Sequence, residues 1–266
     1  MLNRVAWLGV LLGILVVGAI TYYIHQNQAA QTVETAAAPS PAAPAPPPEA
    51  IPETHYPVPA ETSDEHAAPL PALADSDSVF QSALEKLFGS PSVVSLLIPK
   101  ELIHRMVAAV DSLDRNAPLS LRLWPLRHIE STPAVSGTGD TLALSAPNAA
   151  RYTPYIVVLR AADPKQAAAV YLHFYPLFQQ AYKELGYPDK QFNDRLVHVI
   201  DSLLVTPDVD YPISVTQPKV LYQFADPDLE ARSWGQKLMI RMGVQNQELV
   251  KSKLREFRAA IIAKQD

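Results

Sequence analysis

DPKQAAAVYLHFYPLFQQAYKELG, residues 163–186, sets the architecture of this chain. Asp163 before Pro164 is a helix start, because a carboxylate accepts from the free amides of the first turn and proline lacks an N–H where none is needed. Val170, Phe174, Leu177, Phe178, Ala181 and Leu185 then recur at helical spacing, with Tyr171, Tyr175 and Tyr182 beside them, until Gly186 stops the run. So broad an apolar face requires other helices around it. Pro176 is expected to kink the helix, since it cannot donate to the carbonyl of Leu172. A slot lined by these aromatics is one use for the stripe, but core packing is the plainer reading and no cofactor is expected.

Helical signals flank this segment on both sides. Asp77 or Ser78 caps a run bearing Phe80, Ala83, Leu84 and Leu87, which Gly89 ends. Pro99 sits at a first-turn position ahead of Leu102, Ile103, Met106, Val107 and Val110. Thr153-Pro154 and Asp226-Pro227 repeat the polar-cap-then-proline start. Gly235, on a face with Trp234, Leu238 and Met242, suits close helix packing. After an Asn246 cap, residues 247–263 carry Val250, Leu254, Phe257 and Ile261 as a stripe, with Lys251, Arg255 and Arg258 on one flank and Lys253 and Lys264 on the other. That reads as a closing core helix with solvated cations; the alternative is a helix lying on an anionic membrane.

Strand signals are fewer. Leu119, Leu121 and Leu123 alternate with polar residues, Leu142 and Leu144 do so after SGTGD, and Ile213 and Val215 face Val220, Tyr222 and Phe224 across Gln217-Pro218-Lys219. The fold expected is therefore mainly α with a small antiparallel β-sheet, an α+β class, in one globular domain spanning residues 75–266.

Ahead of that domain, residues 5–24 (VAWLGVLLGILVVGAITYYI) form an uncharged apolar run of 20 residues, long enough as a helix to span a bilayer. It is too long, and too far from an Ala-x-Ala site, for a cleaved signal peptide, so an uncleaved signal anchor is expected. Arg4 precedes the run and no Lys or Arg follows until Lys86, which predicts residues 1–4 as a cytoplasmic tip and the C-terminal part outside. Residues 25–74 read as a disordered Ala/Pro-rich linker, whose core of roughly 43 residues reaches at most ~130 Å if extended. In a bacterium this places a single-pass protein in the inner membrane, with residues 5–24 in the lipid bilayer and the domain in the periplasm.

The linker holds Glu34, Glu49, Glu53, Glu61, Asp64 and Glu65; setting these and Arg4 aside leaves 21 acidic and 21 basic residues for the domain. A neutral domain gives no electrostatic reason to expect nucleic-acid binding. With no cysteine in the chain, thiol nucleophiles, thiolate zinc sites and a lipoprotein anchor are excluded. There is no G-x-S-x-G elbow, H-E-x-x-H helix, Walker loop or G-x-G-x-x-G fingerprint.

Asp194, His198 and Asp201 are the best catalytic or ligand-binding candidates. They fall within about 60° of one helical face, close enough to gather a metal or set an imidazole between carboxylates. Leu196, Val199, Ile200 and Leu203 lie opposite, so the simpler reading makes the acidic face the solvent side of an amphipathic helix and expects no metal. Arg151, at a helix start, and Arg241, beside an apolar face, are weaker candidates for an anionic group. The plainer reading has their stems cover apolar surface while their heads pair with a carboxylate such as Asp226 or Glu230.

PLPALADSDSVF, NAARYTPYIVVL, YPLFQQAYKELGYPDKQFNDRLVHVIDSLL and FADPDLEARSWGQKLMIRMG, in this order, resemble an uncharacterised bacterial envelope family, the domain of unknown function numbered 3014. The resemblance spans about residues 69–258. It implies an N-terminal anchor and a Pro-rich spacer, and brings no activity, cofactor or catalytic residue. The function expected is presentation of a helical, non-enzymatic binding or scaffold domain to an envelope protein or cell-wall component. The alternative is a tethered envelope hydrolase using Asp194, His198 and Asp201.

Overall fold

The computed structural model describes residues 55–59, 69–89, 95–120, 122–127, 129 and 131–263. The apolar run at 5–24, the tip at 1–4 and most of the linker lie outside these residues. Among the described residues, no helix is long and apolar enough to cross a membrane. The described part is mainly helical with a small four-stranded antiparallel sheet, as the periodicity predicts.

Helices α1 (Asp77–Phe88), α2 (Leu102–Ser112), α3 (Thr153–Ala161), α4 (Pro164–Glu184) and α5 (Phe192–Leu204) precede the short α6 (Pro227–Glu230), α7 (Trp234–Arg241) and α8 (Val244–Ile261). Helix α4 is the axis of the main core. Asp163 caps it, accepting from the amides of Lys165 and Gln166 at 2.8 and 3.0 Å. Its aromatic stripe packs edge-on against Phe80 of α1, 4.9 Å between ring centroids for Phe174, and stacks Phe178 on Phe192 of α5. Leu102, Ile103 and Val107 of α2 and Ile261 of α8 complete this core. Leu185 departs from the expected stripe and is exposed, because the helix has ended at Glu184 and Gly186 turns the chain at φ 116°. Pro176 does lie inside the helix.

Three helix starts, those of α1, α2 and α3, differ from the sequence expectation. Ser76, not Asp77 or Ser78, is the N-cap of α1, and Gly89 closes it in the left-handed conformation as expected. Asp77 instead reaches α2, where its two carboxylate oxygens accept the amides of Glu101 and Leu102, each at 2.8 Å. That cross-helix cap fixes the start of α2 at Leu102, with Pro99 ahead of the helix and Glu101 held at φ 53°. Thr153 likewise caps nothing, since a 3-10 helix over Ala146–Tyr152 runs straight into α3.

The sheet has the order β1 (Val135–Ser136), β2 (Ala143–Leu144), β3 (Ile213–Thr216), β4 (Gln223–Phe224). SGTGD makes the first turn, and the hairpin expected across Gln217-Pro218-Lys219 is present with a wider tip, where Val220 and Leu221 are exposed. Leu119 and Leu123 are not in a strand. Pro125 interrupts the donor pattern just beyond, and the only pairing nearby among the described residues is a single bridge of Leu126 to Leu97. Leu144, Ile213, Val215 and Phe224 close over Ile240 of α7.

Helix α5 serves two cores at once: Val197 and Ile200 join α4, while Val199 and Leu203 join Tyr152, Ile156, Met239 and Met242. Gly235 lets α7 approach. Its amide donates to the carbonyl of Leu113 at 2.7 Å, and a Cβ there would stand 2.7 Å from both that oxygen and Leu203 Cδ2. Helix α8 begins at Val244, before the expected start, because Gly243 takes φ 83° beneath the Tyr211 ring. Three of its five flanking cations are not solvated as expected, while Arg255 is exposed and Lys264 lies outside the described residues. Lys251 is buried and pairs with Asp208 at 2.8 Å, Lys253 donates to the carbonyl of Ala162, and Arg258 pairs with Asp201. With Lys251, Lys253 and Arg258 engaged inside the domain, α8 packs on α4 and α5 as a core helix.

Gly235→Ala should destabilise the domain. Overpacking of this kind costs about 1–3 kcal/mol against a helix-propensity gain of at most ~1 kcal/mol. Urea unfolding of the variant checks this; equal or higher stability would refute the close approach.

Candidate functional site

Asp194 faces a segment that the sequence placed inside the linker, and Asp201 reaches it through Arg258. Residues 55–59 (HYPVP) lie along the first turn of α5 and the end of α8. Asp194 accepts from the Tyr56 amide at 2.6 Å through Oδ1 and from His55 Nδ1 at 2.7 Å through Oδ2. Asn193, 1% exposed, donates through Nδ2 to the carbonyls of Tyr56 and Ile261 and accepts from the Tyr171 hydroxyl through Oδ1. The Ala263 amide donates to the carbonyl of Pro57 at 2.9 Å. Arg258, held by Asp201 at 2.6 Å, stands over the Tyr56 ring at 5.6 Å, and Tyr56 and Val58 pack on the main core. Further along, Leu70 and the buried Leu73 also pack on it. These parts of the stretch read as linker belong with the domain.

The three candidates on α5 therefore go to three different partners. Asp194 binds the strap, Asp201 binds Arg258, and His198, largely exposed, lies 3.4 Å from Asp114 beyond the end of α2. Among the described residues no group of three or more His, Asp or Glu is placed to hold a metal ion. An open recess of about 420 Å³ lies elsewhere, lined by Thr153, Ile156, Val157, Arg160, Ala161 and Asn246. None of the sequence candidates lines it.

Arg195, which the sequence reading passed over, is the stronger electrostatic feature of α5. It donates from Nε to Asp111 Oδ1 at 2.8 Å, from Nη2 to the Asp111 carbonyl, and from both terminal nitrogens to Asp114. Burial alone would raise Asp114, but the Arg195 hydrogen bond and charge outweigh it and hold the carboxyl below its ordinary value. The signal was present in the sequence: Asp111 follows Ile103 and Val107 at four-residue steps, a carboxylate on an apolar face that requires a partner.

Arg151 and Arg241 meet around a second buried amide. Asn148, fully buried, donates to the Tyr211 hydroxyl and the Arg241 carbonyl and accepts from the Ala134 amide and Arg151 Nη1. Arg151 also donates to the carbonyl and hydroxyl of Ser131. Arg241 stacks on Phe224 at 4.4 Å and donates to the carbonyls of Tyr222 and Lys237, so its head finds a ring and backbone rather than the expected carboxylate. Burial lowers its pKa from the arginine range. Glu230 pairs with Lys237 instead.

A family model described as a protein of unknown function, DUF3014, matches residues 102–258, more than half of the chain. The chain belongs to the DUF3014 family. The DUF3014 match runs from α2 almost to the end of α8, so it includes Asn193, Asp194, Asp201 and Arg258 and leaves the strap outside. No curated protein and no solved structure matches the chain.

The depressed carboxyl of Asp114 gives a pH signature. Its contribution to stability is complete above the ordinary aspartate value of about 4 and is lost as pH falls through the lower folded value. Arg195→Met should cost about 3 kcal/mol near pH 7, the loss expected when one partner of a buried ion pair is removed. The gap from the unaltered protein should narrow as pH falls toward 3. Chemical unfolding across that range checks both, and a gap independent of pH would refute the network.

Proposed function

We propose that this protein is a single-pass inner-membrane protein that holds a helical, non-enzymatic binding or scaffold domain in the periplasm. The observation that carries the reading is the use made of the acidic face of α5. Of the residues that would have formed a catalytic cluster, Asp194 and Asp201 are directed to other segments of the chain, and the largely exposed His198 stands 3.4 Å from Asp114. Asp194 directly holds the strap through which the spacer meets the domain, and Asp201 does so through Arg258. A tether that enters its domain through hydrogen bonds to a buried asparagine is suited to positioning a surface for another molecule.

The anchor at residues 5–24, the preceding Arg4 and the long stretch without Lys or Arg behind it support the N-in orientation. The Ala/Pro-rich spacer supports reach across part of the envelope. An envelope protein or a cell-wall component is the partner proposed.

A reporter active only outside the cytoplasm, fused at the C-terminus, should be active, and photocrosslinkers on the domain surface should capture one defined partner in cells. Cytoplasmic reporter activity would overturn the orientation. Capture matching that of an unrelated tethered domain would overturn the binding role.

A further inference from the structure

The strap is held the way a foreign peptide would be. Its backbone is read at three points, by Asp194 on the Tyr56 amide, by Asn193 on the Tyr56 carbonyl and by Ala263 on the Pro57 carbonyl. Its side chains are read by a guanidinium over the Tyr56 ring and a carboxylate on His55. Tyr56 precedes one proline and Val58 another, which biases the segment to extended backbone before it docks and lowers the entropy lost on binding. Tyr56 is also the only Phe, Tyr or Trp between residues 25 and 74. The receptor, by contrast, is built into the core: Asn193 is buried and is bonded to α4 and α8 as well as to the strap.

We propose that the groove between the first turn of α5 and the end of α8 is a peptide-binding site for extended segments in which an aromatic residue directly precedes proline. Residues 55–59 fill it in cis. When the strap leaves, the same chemistry in another chain takes its place, and the spacer lengthens by the released residues. This rests on the reading of the domain as a binding module and names the class of ligand. The occupant is the strap of a second copy, which carries the sequence that already fits the groove.

The test uses the full chain in nanodiscs and a fluorescent peptide of residues 52–60, PETHYPVPA. The Tyr56→Ala chain, its strap weakened, should bind the peptide about tenfold or more tighter than the unaltered chain, whose own strap competes at high effective concentration. Adding Asp194→Ala should remove that gain, and a peptide with alanine for tyrosine should not bind. Equal binding by the unaltered and Tyr56→Ala chains, or none by either at millimolar peptide, overturns the proposal.

Because the chain has no cysteine, Val58→Cys gives a second readout that needs no weakened strap. Maleimide labelling of that thiol should quicken several-fold when millimolar peptide displaces the strap, and a rate unchanged by peptide overturns the proposal. Light scattering tests the occupant. A concentration-dependent dimer that Tyr56→Ala abolishes supports the second copy, whereas a chain that stays monomeric at every concentration while still capturing the peptide overturns that assignment. Failure here leaves the reporter and crosslinking results standing, since those read compartment and capture at any surface position.

Discussion

The side-chain amide of Asn193 is the constraint on which the joints of this domain depend. It is buried beside the aromatic core of α4, where an unsatisfied amide costs a few kcal/mol. Its hydrogen bonds are met when three separate parts of the chain arrive together: the Tyr171 hydroxyl from α4, the Ile261 carbonyl from the end of α8, and the Tyr56 carbonyl from the strap. Apolar packing would tolerate several registers among these elements, but the amide accepts one. Asn148 plays the same part elsewhere in the domain, tying the 3-10 helix to Tyr211, Ala134 and the last turn of α7.

Around these amides, charge is organised inward. Asp111 and Asp114 close on Arg195, Asp208 on Lys251, Glu230 on Lys237, and Asp201 on Arg258. Each pair joins segments that hydrophobic contact alone would leave free to slide, and most are only partly exposed, so screening by salt is weaker than at the open surface. A formally neutral domain fits this bookkeeping of like numbers of acids and bases. It also explains why α5 misleads as an isolated helix. Its acidic side is only in part a solvent face: His198 is largely exposed, while the strap and the end of α8 engage Asp194 and Asp201.

What the sequence made legible was local. Helix α4, its Asp163 cap, the close approach at Gly235 and the hairpin through Ile213 and Phe224 follow from spacing and turn chemistry within a few residues. What stayed hidden was set across the fold. Asp77 caps a helix 24 residues away, Leu119 and Leu123 alternate without a partner strand, and Lys251, Lys253 and Arg258 of α8 turn inward to carbonyls and carboxylates on other segments. Two hidden features did leave a mark: Asp111 stood on an apolar face, and Tyr56 was the lone aromatic of the spacer.

The account makes the spacer part of the domain as far back as His55, so the most direct measurement is native-state hydrogen exchange at two amides. Tyr56 N–H donates to Asp194 and Ala263 N–H to the Pro57 carbonyl, and both should exchange slowly in the unaltered protein. In Asn193→Ala both should speed up together while α4 amides stay protected. Free exchange at Tyr56 and Ala263 in the unaltered protein would contradict the account.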